Sequence, residues 1–232
     1  MTTVLLVRHG LTPLTGSALA GWTPGVHLDE RGRAQAAGLD VRLTDVRMDA
    51  VISSPLERCL ETAGPIADRH GLTVTTDERF GETRYGDWNG RELKTLRHEP
   101  LWKQLMASPS SVTFPDGEAF AGVQARAVAA IRDWNARLGP TATYVVCSHA
   151  DVIAAIALDA FGSHFDQIHR LAVSPASVTV VRYAPAPVVL RFNDDDRDLG
   201  SLLAPPQGRG RTKAAPGPRQ HHGISGADGG TG

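Results

Sequence analysis

The chain opens with a β-branched and aliphatic burst, residues 4–7, that stops at Arg8-His9-Gly10. A short apolar run ended by polar residues is the pattern of a buried strand running into a loop. Gly10, Pro13, Gly16, Gly21, Pro24 and Gly25 follow, a density that excludes regular structure and lets the backbone come close to a ligand. Asp29 is a helix-capping residue, and beyond it Ala34, Ala37, Val41 and Leu43 recur at near-helical spacing, so a helix is expected through about Arg47. Residues 50–53 read as a second strand. Ser54 then caps a helix starting at Pro55 and running to about His70, with Gly71 just past its end; Pro65 inside it predicts a kink or a division.

The alternation of strand and helix continues. Residues 72–75 read as a third strand, 77–90 as a loop, 91–106 as a shorter helix, and 119–138 as a strong helix built on Ala, Val, Ile and Arg. A buried strand over 143–147 ends at Ser148-His149 and is followed at once by a helix over 151–161. Two late strands, 178–182 and 188–192, are joined through Pro185 and Pro187 and belong at a sheet edge. Strands alternating with helices of this length predict an α/β fold, a three-layer α/β/α sandwich with a mostly parallel central sheet. Ligands of such sheets collect beyond the carboxyl ends of the strands. His9 and His149 would then face the same rim.

Composition narrows the class. Hydrophobic residues make up 41% and charged residues 21%, which suits a globular chain with a real core. A formal net charge of -1 provides no field for a polyanion, so neither nucleic acid nor an anionic membrane is an expected partner, and any anion recognition must be local. The two cysteines, Cys59 and Cys147, sit in apolar or helical stretches where a reduced thiol packs as a small hydrophobe. The apolar run near the N-terminus is only four residues long with no basic segment before it, and no window approaches a membrane span. A cytoplasmic protein is expected. From Ala204 the character changes: eight Gly, four Pro, and four Lys or Arg against one acid in 29 residues, too little apolar surface to fold. One domain over 1–203 and a disordered, Gly/Pro-rich basic tail over 204–232 are therefore expected.

The candidate chemistry lies in five blocks. They are Arg8-His9-Gly10 at a strand end; Ser53-Ser54-Pro55-Leu56-Glu57-Arg58 and the helix after it; Glu82-Thr83-Arg84-Tyr85-Gly86; Phe114-Pro115-Asp116-Gly117-Glu118; and Val145-Val146-Cys147-Ser148-His149. Taken in this order the blocks resemble the histidine phosphatase superfamily, the phosphoglycerate-mutase-like proteins. The resemblance implies that His9 is the phosphorylated nucleophile and Glu82 the proton donor to the leaving group. It also implies that Arg8, Arg58 and His149 bind the phosphoryl oxygens, with Thr12 and Thr15 beside them. The substrate it implies is a small phosphomonoester, with no cofactor.

These residue types suit that chemistry. A neutral imidazole offers a lone pair, and nearby arginines lower its pKa and keep it unprotonated. Guanidinium forks match a tetrahedral phosphate and stay charged throughout. Glu82, whose ordinary pKa is about 4.3, must hold a proton when the alkoxide departs, so its pKa has to be raised. Without the blocks, Arg58 reads as a helix-surface residue and Glu82 as a solvated loop carboxylate. Trp22, Trp88 and Phe114 are open to two readings, pocket lining or packing. His164 and His169 lack the spacing of a metal site, Asp194-Asp195-Asp196 reads as an exposed strand end, and no metal is expected.

Mutases of the family carry a basic segment after the acidic residue that holds a second phosphate. Residues 99–118 contain one base, Lys103, which favours hydrolysis over isomerisation. A protein-binding or protein-phosphatase module is the remaining alternative, and the intact set Arg8, His9, Arg58 and His149 argues against an inactive binder. Two departures stand out. Thr15 falls where the family often has Asn, and Ala150-Asp151 replaces the usual Gly-Gly, placing a negative charge near an anion site.

Overall fold

In a computed structural model, which describes residues 1–196, alternate side chains of the first strand enter two separate cores. This strand, β1 (Thr2–Arg8), sends Val4 and Leu6 to one face of the sheet and Leu5 and Val7 to the other. The strand β4 (Thr143–Ser148) does the same with Tyr144 and Val146 against Val145 and Cys147. Strands buried on both faces read as continuous apolar runs, which is why these two were legible without alternation. The sheet has six strands in the order β3-β2-β4-β1-β5-β6, where β2 is Ala50–Ser53, β3 Val74–Thr76, β5 Val178–Tyr183 and β6 Pro187–Asp194. The first four strands pair in parallel, and β5 and β6 are antiparallel.

One face is covered by α1 (Glu30–Arg42) and α2 (Glu57–Arg69), and the other by α5 (Phe120–Leu138) and α6 (Ala150–Phe161), giving the expected three layers. Between β3 and α5 lie two short helices, α3 (Leu93–Leu96) and α4 (Pro100–Ala107), where one helix is expected. Pro100 is the reason, because it cannot continue a helix but fits the first turn of a new one. None of the helices among the described residues is long and apolar enough to cross a membrane.

Three other local expectations are corrected. The first helix is capped by Asp29, whose Oδ1 accepts from the Gly32 N–H at 2.7 Å, but it stops at Arg42, not Arg47. Pro65 does not divide α2; the carbonyl it leaves without a partner is that of half-buried Glu61, within reach of water. Ser54 is not the cap of α2, which begins two residues after Pro55, and its hydroxyl is used elsewhere. The expected domain end at 203 and the tail over 204–232 lie outside the described residues.

Candidate active site

Parallel pairing between β1 and β4 sets Arg8 opposite Ser148, so the residues that follow, His9 and His149, leave adjacent strand tips together. The His9 N–H donates to the Ser148 carbonyl at 3.0 Å and extends the ladder by one bond. Their ring centroids are 5.2 Å apart at an interplanar angle of 62°. The neighbouring strand β2 ends at Ser53, opposite Cys147, and the chain turns through Ser54 and Pro55 into α2, whose second residue is Arg58. Three strand ends thereby deliver two imidazoles and a guanidinium to one point.

Gly10 makes the approach of α1 possible. A Cβ there would sit 2.7 Å from the Gly32 carbonyl oxygen, so a side chain would push α1 away from the loop. The close backbone approach at Gly10 is toward a helix, whereas the glycines of this loop suggest a ligand. The Gly10 N–H donates to Thr62 Oγ1 at 3.1 Å, and its carbonyl accepts a hydrogen bond from His9 Nδ1 at 2.7 Å. A carbonyl only accepts, so Nδ1 carries the proton and Nε2 presents its lone pair. Arg58 Nε donates to that Nε2 at 3.3 Å. Burial, then the charges of Arg58 and Arg8, hold the His9 pKa well below its ordinary value, so the ring is neutral at pH 7.

Arg58 is fully buried, contrary to the surface reading of an isolated helix arginine. Its Nη2 donates to the Gly21 carbonyl at 2.8 Å and to His149 Nδ1 at 3.3 Å, while Nη1 has no partner. Arg8 is in the same condition: Nη1 donates to the Val173 carbonyl at 2.6 Å, and buried Nε has no partner. Two guanidinium N–H groups without a partner cost free energy in a site that holds only protein atoms. His149 lies behind Arg58, wholly buried, with Nε2 donating to Ser54 Oγ at 2.8 Å. This is the use found for the Ser54 hydroxyl. Burial and the Arg58 charge keep the His149 pKa well below its ordinary value as well.

Glu82 approaches from the loop after β3. Its Oε2 is 3.7 Å from His149 Nδ1, and its side chain is 13% exposed. Burial first, and the charge of Asp151 second, push its pKa up to about 7. The backbone of this loop is pinned by three hydrogen bonds to two carbonyls. Arg126 Nη2 and the Trp22 indole N–H both donate to the Glu82 carbonyl, at 3.1 and 2.6 Å, and Ser148 Oγ donates to the Phe80 carbonyl at 2.6 Å. Arg126 in turn forms a two-bond fork with Glu118, at 3.0 and 2.8 Å.

Arg8, His9, Thr12, Thr15, Arg58 and Glu82 all line one cavity of about 270 Å³. Of the seven residues singled out in the sequence, His149 alone lies beneath the cavity floor and not in its lining. Thr12 Oγ1 and Thr15 Oγ1 are 3.0 Å apart and hydrogen-bonded to each other. Trp88 and Phe114 belong to the core and Trp22 to the loop anchor, so packing is the right reading for all three. Sequence reasoning missed Tyr85, whereas Asp151 does place its negative charge beside the anion site, as expected. Both line the cavity, and the Tyr85 hydroxyl donates to Asp151 Oδ2 at 2.6 Å. The signal for Tyr85 was present, three residues after Glu82, but nothing in spacing alone separates an inward from an outward loop side chain.

Comparison with known proteins agrees with this geometry. A family model for the histidine phosphatase superfamily, branch 1, matches residues 4–195. Phosphoserine phosphatase 1 of Hydrogenobacter thermophilus is 27% identical over 209 residues, covering 83% of this chain and 92% of that protein. Glucosyl-3-phosphoglycerate phosphatase of Mycobacterium tuberculosis is 30% identical over 162 residues, covering 66% of this chain and 72% of that one. The solved structure of Bacillus stearothermophilus YhfR aligns with a TM-score of 0.78 at 27% identity, over 84% of this chain and 98% of its own. The matched region runs from β1 to just past β6 and contains every residue of the cavity, and on this ground the chain belongs to the histidine phosphatase superfamily.

Proposed function

We propose that this protein is a phosphomonoesterase that works through a phosphohistidine on His9 and hydrolyses a small phosphorylated metabolite. The observation that carries the reading is the pair of buried, unpartnered N–H groups on Arg8 and Arg58 beside the Nε2 lone pair of His9. Arg8 and Arg58 hold the equatorial oxygens, and Thr12 and Thr15 offer hydroxyls at the rim. In the first step Nε2 attacks phosphorus in line, the ester P–O bond breaks, and Glu82 gives its proton to the departing alkoxide. In the second, the Glu82 carboxylate takes a proton from water, the hydroxide attacks phosphorus, the P–N bond breaks, and inorganic phosphate leaves. His149 acts from below, by fixing Arg58.

The positive charge that stabilises the transferring group comes from the two arginines, so the reaction needs no metal. Among the described residues no group of three His, Cys, Asp or Glu is arranged to hold one. Hydrolysis is favoured over isomerisation because the cavity lining has no lysine or arginine beyond Arg8 and Arg58 to clamp a second phosphate. The relatives named for phosphoserine and glucosyl-3-phosphoglycerate support a metabolite over a protein substrate, as does the cavity's volume of about 270 Å³. Free thiols at Cys59 and Cys147, both buried, support the cytoplasmic setting. The test is turnover of p-nitrophenyl phosphate with a chelator present. Release of phosphate at an unchanged rate is expected; loss of activity on chelation overturns the metal-free mechanism. Conversion of 3-phosphoglycerate to 2-phosphoglycerate overturns the choice of hydrolase.

A further inference from the structure

The charges around the cavity do not balance once a phosphoryl group is in place. Arg8 and Arg58 supply two positive charges, and a bound phosphomonoester dianion neutralises both. Glu82 must carry its proton to act as an acid and is then neutral. One charge remains, the carboxylate of Asp151 in the cavity wall. Among the described residues it has no cation within 4.0 Å, although thirteen other Asp or Glu side chains among them have an arginine, lysine or histidine at that distance.

Asp151 is fixed, and among the described residues it has no direct ion-pair partner of its own. It follows the wholly buried His149 by two residues in the first turn of α6, so the strand tip sets its position. The Tyr85 hydroxyl, at 2.6 Å, takes up Oδ2, and Oδ1 has no hydrogen-bond partner among the described residues. Tyr85 belongs to the same loop as Glu82, the residue that must stand beside the leaving oxygen. The remaining wall is aliphatic, from Leu14, Leu19 and Leu93. A leaving alcohol that meets an aliphatic wall and one held carboxylate is complemented by a short carbon chain bearing a cation. A second carboxylate or phosphate there faces like-charge repulsion in a partly desolvated site.

We infer that Asp151, braced by Tyr85, forms a subsite for an ammonium group on the leaving alcohol, so that this site selects phosphate esters of amino alcohols over esters carrying a second anion. The inference rests on the phosphomonoesterase reading. An ammonium donates to Oδ1, a neutral alkyl group leaves that oxygen unused, and a carboxylate is repelled. The preference is expressed in kcat/KM because the contact is made whenever the ester is bound.

The experiment compares Asp151→Asn with the wild type on three esters of similar size: phosphoethanolamine, n-propyl phosphate and phosphoglycolate. Taking the variant-to-wild-type ratio for each ester cancels the intrinsic reactivity of its leaving group. For phosphoethanolamine kcat/KM should fall about tenfold more than for n-propyl phosphate, the size of one charge-assisted hydrogen bond. For phosphoglycolate it should rise relative to n-propyl phosphate, the loss of the Asp151 charge on Glu82 being common to all three esters. An equal change on all three esters overturns the subsite and leaves the phosphatase reading intact; no hydrolysis of any ester by the wild type overturns both. If the Asn variant does not fold, Asp151→Ser repeats the comparison with the same expected order.

Discussion

His9 and His149 stand at the tips of paired strands, whereas Glu82, Tyr85 and the support for Asp151 come from an irregular loop on the other side of the same cavity. The strand side is positioned by backbone hydrogen bonds that continue the sheet, such as His9 to Ser148. The loop side is positioned by side chains, chiefly Arg126 with Glu118, and the indole of Trp22. The difference separates the two kinds of support. The proposed nucleophile sits on the rigid sheet, and the proposed acid, with the Tyr85 brace of Asp151, sits where the chain can change without disturbing the core.

Breaking the strand side has the largest effect. His9→Ala removes the nucleophile, and turnover should fall by more than about 10⁴-fold, with no acid-labile, alkali-stable phosphoenzyme trapped from labelled substrate. A persistent adduct would place the nucleophile elsewhere. Breaking the loop side comes next. Glu82→Gln should slow phosphoenzyme formation by about 10²- to 10⁴-fold while substrate binding changes little.

The pH dependence sharpens the same point. With its pKa pushed up to about 7, Glu82 loses its proton above neutrality, so wild-type turnover on alkyl esters should decline as pH rises through that value. The folded state also holds this proton where an unfolded carboxyl, at an ordinary 4.5, has released it. Folding stability therefore falls as pH rises from the ordinary value to the raised one. Glu82→Gln should gain stability over the wild type at pH 8 but not at pH 4, and should lack the basic limb. Thermal unfolding at the two pH values checks it; equal differences at both would remove the burial argument.

The smallest effect tests the latch. Arg126→Met leaves the strand tips untouched, releases the Glu82 carbonyl and leaves Glu118 without its fork. A cost of about 1–3 kcal/mol in stability is expected. With the acid displaced, kcat should drop about 10- to 100-fold. KM should stay near its wild-type value, because Arg8 and Arg58 still hold the phosphoryl group. A rise in KM without loss of kcat would show that Arg126 supports binding, and the division between the two sides would then be wrong.

Much of this was readable before any coordinates. The layered fold followed from apolar runs at residues 4–7 and 143–147 separated by helical stretches, and six of the seven residues singled out in the sequence line one cavity. Residues 91–106 were misjudged because helical content outweighed a single proline, which in fact opens a second helix. Tyr85 was passed over because a loop has no periodicity from which to read the direction of a side chain.

What the sequence by itself determined is the identity of the chemical groups and the layers that carry them, since both depend on residue type and local pattern. Tertiary structure alone decided which groups meet. β1 and β4 are apolar on both faces, so hydrophobic pattern does not distinguish one register from the next. Long-range packing sets Arg8 opposite Ser148 and Ser53 opposite Cys147, and from these two pairings come the adjacent histidines and the buried Arg58 beside them. The burial that raises Glu82 and lowers His9 is likewise a property of the assembled site, because desolvation exists only once the surrounding elements have closed over it.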